Sequence, residues 1–117
     1  MSENVLLGKS YQFALRSVRL YRYLCEEKKE FVLSRKAMET GTSVGAKVKS
    51  AQEAGAKAAF VNEMSLALQR ASETQYWLQL LHDGGYLSEP EFTAIHEDCV
   101  EIIRLLVAIV KKSRGTL

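Results

Sequence analysis

Apolar residues recur at spacings of three and four in four successive segments of this chain, the period of helices that bury one face. In the first, from Ser10 to about Glu27, Phe13, Ala14, Ser17, Val18, Leu20, Tyr21, Leu24 and Cys25 share one arc. Lys9, Gln12, Arg16, Arg19, Arg22 and Tyr23 fill the other. A charged link, "EEKKE", leads to a second segment from about Phe31 to Ala54, whose inner face is Leu33, Ala37, Thr40, Gly41, Val44, Val48 and Ala51. The third, about Lys57 to His82, carries Phe60, Met64, Ala67, Leu68, Ala71, Thr74, Leu78 and Leu81, and "HDGGY" supplies glycines suited to the left-handed turn that ends a helix. The fourth, about Glu89 to Lys112, opens on "SEPE", where Ser88 and Glu91 have the spacing of a capping box. Phe92, Ile95, Cys99, Ile102, Ile103, Leu106, Ile109 and Val110 follow, and the chain closes on the basic tail "KKSRGTL". Four helices with short links predict an all-α, antiparallel up-down-up-down four-helix bundle, one domain over residues 1–117.

Two features exceed what a simple bundle needs. Within "TGTSVGAKVKSA", Gly41 and Gly45 stand four apart where each interior glycine costs roughly 1 kcal/mol against alanine, so a close helix contact is expected there. The third helix also bears a second apolar strip, Ala59, Leu66, Tyr76, Trp77 and Leu80, with Arg70 and Glu73 among them. One helix of a monomeric bundle has no place to bury both faces. We therefore expect Gly41, Gly45, Leu66, Arg70, Glu73, Tyr76, Trp77 and Leu80 at a contact between copies of the chain. For the aromatic strip, an external protein partner is the alternative.

Charge divides unevenly. The net formal charge is +2, but residues 1–60 hold 11 basic and 6 acidic side chains, and residues 61–117 hold 5 and 8. Such a split suits an anion-binding face, or oppositely charged surfaces of neighbouring subunits. Lys9, Arg16, Arg19, Arg22, Lys47 and Lys49 are the candidate nucleic-acid contacts. Without a base-reading motif they imply phosphate and shape recognition; the competing assignment is a solvated helix face.

Catalytic chemistry finds no support in the sequence. His82 and His96 are the only histidines, and Glu97, Asp98 and Glu101 lack the Glu-x-x-His partner of a di-iron bundle. No phosphate-cradling loop occurs, so neither an enzyme nor a cofactor is expected. Cys25 and Cys99 fall on apolar faces without partners at metal spacing and are expected as reduced thiols. The apolar run of "MSENVLLGKS" is too short for a signal peptide, and no stretch is long enough to span a membrane, so a cytoplasmic protein is expected.

"FALRSVRLYRYL", "SVGAKV" and "ALQRASETQYWLQLL" resemble three signature regions of the bacterial four-helix bundle proteins, which include those encoded by intervening sequences in large-subunit ribosomal RNA genes. The similarity runs from about Ser10 to Lys112. It implies a bundle that assembles into a ring, a pentamer, like the similar accessory proteins of diversity-generating retroelements. Those relatives bind nucleic acid and a reverse transcriptase through a basic surface, so the resemblance implies structured RNA or DNA and a reverse transcriptase as partners. Where the family often has asparagine, and then a small or basic residue followed by glutamate, this chain has Lys47, then Lys49 and Ser50. The segment is thereby more basic and lacks a carboxylate.

Overall fold

The computed structural model describes residues 2–115, and among these it contains four helices: α1 (Ser2–Glu27), α2 (Leu33–Gln52), α3 (Lys57–Asp83) and α4 (Glu89–Gly115). Each helix packs on its two neighbours around a square, α1 on α2, α2 on α3, α3 on α4 and α4 back on α1. Cross-helix partners give the directions. Lys36, Thr40 and Lys47 of α2 meet Trp77, Thr74 and Glu63 of α3, so one number falls as the other rises. The same inverse order holds where Lys9, Arg16 and Tyr23 meet Glu101, Asp98 and Glu91. The architecture is the antiparallel up-down-up-down bundle expected of four amphipathic helices joined by short links.

The core runs the length of the bundle. Leu6, Phe13, Leu24, Val44, Val48, Met64, Leu78, Leu81, Cys99, Ile102 and Leu106 are almost wholly excluded from solvent. Where helices must approach closely the core narrows to small residues. A side-chain carbon on Gly41 would lie 2.2 Å from Ser17 Oγ and 2.9 Å from Ser17 Cβ; one on Gly45 would lie 3.2 Å from the backbone oxygen of Ser10. The glycine pair therefore seats α2 against α1 of the same chain. The close contact expected at Gly41 and Gly45 is thus seen within one chain, between α2 and α1.

Helix boundaries also shift from those expected. α1 starts at Ser2 rather than Ser10, because Leu6 extends the buried stripe by two turns and the Ser10 hydroxyl donates back to the Leu7 carbonyl, 3.1 Å away, inside the helix. Gly8 faces open solvent with no atom within 4 Å of where a side-chain carbon would sit. Gly8→Ala should therefore raise the stability by about 1 kcal/mol, read as a shift of the urea midpoint. α2 begins at Leu33 rather than Phe31, leaving Phe31 and Val32 exposed. The reason is Glu30, whose carboxylate accepts the backbone N–H groups of Val32 (3.1 Å), Leu33 (2.9 Å) and Ser34 (2.7 Å). α2 also ends earlier, at Gln52.

The later boundaries follow named caps. After α3, Gly85 takes φ +89°; the Tyr86 N–H donates to the Leu81 carbonyl and the Gly85 N–H to that of His82, a Schellman stop. At α4 the Glu91 N–H donates to Ser88 Oγ (3.3 Å) and the Ser88 N–H to Glu91 Oε1 (2.8 Å), closing the box that "SEPE" spelled out. α4 then runs three residues past Lys112 to Gly115; Thr116 and Leu117 of the basic tail lie outside the described residues.

Candidate nucleic-acid interface

Three of the four seams between helices are closed by small or hydrogen-bonded contacts. Gly41 and Gly45 seal α1 to α2. The Thr40 and Thr74 hydroxyls lie 2.8 Å apart between α2 and α3, and the Cys99 thiol donates to the Ala71 carbonyl between α3 and α4 at 3.4 Å. Burial pushes that thiol up to about 12, with the neighbouring Asp98 charge adding to it, so it is a protonated core group. Cys25 is half-buried and also free.

The fourth seam, α1 against α4, is the loosest, and it carries Lys9, Arg16 and Arg19 of α1. A cavity of about 510 Å³ opens along it, floored by Leu20, Leu87 and Ile95. Side-chain bridges cross the seam. Lys9 pairs with Glu101 at 3.2 Å, Arg16 pairs with Asp98, and the Tyr23 hydroxyl donates to Glu91 Oε2 at 2.6 Å. The hydrogen bond from Tyr23 holds the Glu91 carboxyl below its ordinary value, helped by the Ser88 N–H, and the same bond raises the Tyr23 phenol.

Placed on this geometry, the six candidate cations divide. Lys9 and Arg16 are matched to carboxylates of α4, Lys47 lies 4.0 Å from Glu63, and Lys49 is 2.8 Å from Glu53 one turn along its own helix. Arg19 and Arg22 are exposed and, among the described residues, make no ion pair or hydrogen bond. The uneven charge of the two halves of the chain is thus partly cancelled inside one subunit, where basic α1 lies beside acidic α4.

The aromatic strip of α3 divides as well. Trp77 is half-buried at the α2–α3 seam, with Lys36 Nζ 5.4 Å from its ring centre and Tyr76 edge-on at 5.0 Å. Leu66 and Leu80 are also half-buried, whereas Tyr76 is 58% exposed. Arg70 and Glu73 pair with each other, 2.8 Å apart on the same helix face. A second exposed apolar strip lies elsewhere: Leu7, Tyr11 and Val18 follow one line on the outer side of α1, 36%, 61% and 36% exposed. Val18, expected on the buried arc of α1, is thus partly exposed. The strong apolar positions of α1 span more than half the helix circumference, and the tight α1–α2 contact at Gly41 rotates Val18 outward.

Two groups that the sequence pattern places outside or in a link are structural: Tyr23 bridges the α1–α4 seam and Glu30 caps α2. Tyr23 was assigned to the outer arc and Glu30 to a charged link. The seven-residue spacing of positions 9, 16 and 23, whose partners 101, 98 and 91 run in inverse order, is the signal that marks Tyr23 as a seam residue. It becomes visible only once α1 and α4 are known to be neighbours. His82 and His96 flank the Phe92 ring at 4.5 and 4.6 Å, a packing role. No group of acidic, histidine or cysteine side chains among the described residues is arranged to hold a metal, and no helix is long and apolar enough to cross a membrane.

A compact antiparallel bundle of four helices, with a glycine-seated helix pair and a charged, loosely closed α1–α4 seam, defines the structural class. The model of the 23S rRNA-intervening sequence protein family matches residues 2–108, and the chain belongs to that family. The solved structures include a similar protein of unknown function from the S23 ribosomal protein family of Bacteroides thetaiotaomicron. It is 42% identical, with a TM-score of 0.93 over 95% of this chain and 99% of that one. The search of curated proteins found no match.

Proposed function

We propose that this protein is a non-catalytic adaptor that self-associates and binds nucleic acid through phosphate contacts. The observation that carries the binding is the pair Arg19 and Arg22, exposed cations with no carboxylate partner among the described residues, on a helix whose other cations are already matched. An unmatched guanidinium loses little on meeting a phosphate, whereas Arg16 must first give up Asp98.

Self-association rests on the outer strip Leu7, Tyr11 and Val18, which continues into Arg22 along the same side of α1. Exposed apolar strips of this kind are the usual cores of subunit contacts. Repetition around a closed ring, a pentamer, would set several copies of Arg19 and Arg22 on one surface, and multivalent phosphate contact then follows. Tyr76, with Trp77 edge-on beside it and Leu66 and Leu80 along the same helix, is the complementary apolar patch offered to the neighbouring copy. With Arg70 and Glu73 already paired, that contact depends on apolar burial.

The test compares variants by fluorescence anisotropy with a structured RNA. Arg19→Ala/Arg22→Ala should weaken binding at least tenfold, and Arg16→Ala should change it less than threefold. Equal losses for both variants would refute the assignment of the phosphate contacts to the unmatched pair.

A further inference from the structure

The α1–α4 cavity, rather than the helix surface alone, points to what kind of nucleic acid is held. Two of the three bridges across the seam bound the cavity, Arg16 to Asp98 and Tyr23 to Glu91, and residues 16 and 23 stand seven apart, about 10 Å along the helix. Between these bridges α1 presents Arg19 and Leu20, and α4 presents Ala94 and Ile95. Ala94 is exposed and too short to reach across, so the window between the bridges stays open above the buried Leu87 and Ile95. The cavity, about 510 Å³, falls within the roughly 300–1,000 Å³ of small-ligand pockets.

Its chemistry is divided in a specific way. The floor is apolar. Both Glu91 oxygens are already engaged, one by Tyr23 and one by the Ser88 backbone, and Asp98 is matched by Arg16. The rim groups left unmatched are the neutral amide of Gln12 and the guanidinium of Arg19, and Arg22 stands exposed one turn further along α1, outside the lining. A ligand suited to this arrangement carries a flat, uncharged, largely apolar body next to an anion that repeats on either side.

We propose that the window between the two bridges receives the base of an unpaired nucleotide while Arg19 and Arg22 hold the flanking phosphates. The occupant is thus single-stranded nucleic acid. The proposal rests on the phosphate-binding role assigned above and goes beyond it, because a base locked in a duplex cannot turn into the seam. Stacking against the guanidinium and apolar contact with Leu20 tolerate any base, so a preference for unpaired strands with little sequence selectivity follows.

The experiment uses the full chain with a labelled oligouridylate and a labelled RNA duplex of equal length, each titrated with wild type, Ala94→Leu and Arg19→Ala/Arg22→Ala. Leucine at an exposed helical position keeps helix propensity, and thermal melting confirms that the variant is folded. The expected result is tighter binding of the single strand by wild type, a roughly tenfold loss of that binding in Ala94→Leu, and an unchanged duplex affinity. If Ala94→Leu binds the single strand like wild type while the arginine variant does not, the window is not the base site and the phosphate-binding role stands. If wild type binds neither RNA at low salt, that role falls and this inference with it. As an independent readout, 4-thiouridine in the strand should crosslink to the segments around Leu20 or Ala94. Crosslinks confined to other helices would overturn the placement.

Discussion

Gly41→Val is expected to destabilise the bundle by on the order of 3 kcal/mol, because the site has no room for a side chain. The first added carbon would sit 2.2 Å from Ser17 Oγ and 2.9 Å from Ser17 Cβ, with Phe13 Cε2 at 3.6 Å. Ser17 cannot step aside. Its hydroxyl donates to the Phe13 carbonyl at 2.9 Å, and its Cβ is fixed to the backbone of α1. Relief therefore requires α1 and α2 to move apart, opening the contact at Gly45 and Ser10 as well. Adding Ser17→Gly to the valine variant should restore part of the loss, since the nearest clash is then removed. Urea unfolding at one fixed protein concentration, with both single variants and the pair, gives the coupling. An unchanged urea midpoint with an altered assembly mass would instead place Gly41 between subunits.

The second large effect is expected at Glu30. Its carboxylate serves three backbone N–H groups at the start of α2 while itself being largely buried, so Glu30→Ala should cost about 2 kcal/mol. Burial pushes the Glu30 carboxyl up, but hydrogen bonds from Leu33, Ser34 and Val32 outweigh it and leave the group below its ordinary value of 4.5. The sign of the pH effect follows: a lowered folded-state value means a contribution fully present above about pH 4.5 and lost as the pH falls through the folded value. The stability gap between wild type and Glu30→Gln should therefore be constant near neutrality and narrow on acidification below that point. A gap that widened on acidification would contradict the cap.

These two sites also show how far sequence reasoning reaches. The fold was legible because four amphipathic stretches, one proline and two well-marked ends, "HDGGY" and "SEPE", all agree. The close helix contact was legible in Gly41 and Gly45, but its partner was not, since spacing says that a backbone approaches without saying whose. Glu30 was hidden because glutamate two or more residues before a helix is not a usual cap, and only the turn at Lys29, with φ 55°, brings its carboxylate under α2. The basic stripe was legible as composition. Its division into matched and unmatched cations depends on α4 lying beside α1, which no pattern within α1 contains.

The self-associating phosphate-binding role is tested most directly by the salt dependence of nucleic-acid affinity, measured by anisotropy for wild type and Arg19→Ala/Arg22→Ala. The expected result is a linear fall of log affinity with log salt, and a slope reduced by roughly 1.5 to 2 for each engaged subunit when both arginines are removed. Absence of binding at low salt, or a slope that the double substitution leaves unchanged, would contradict it.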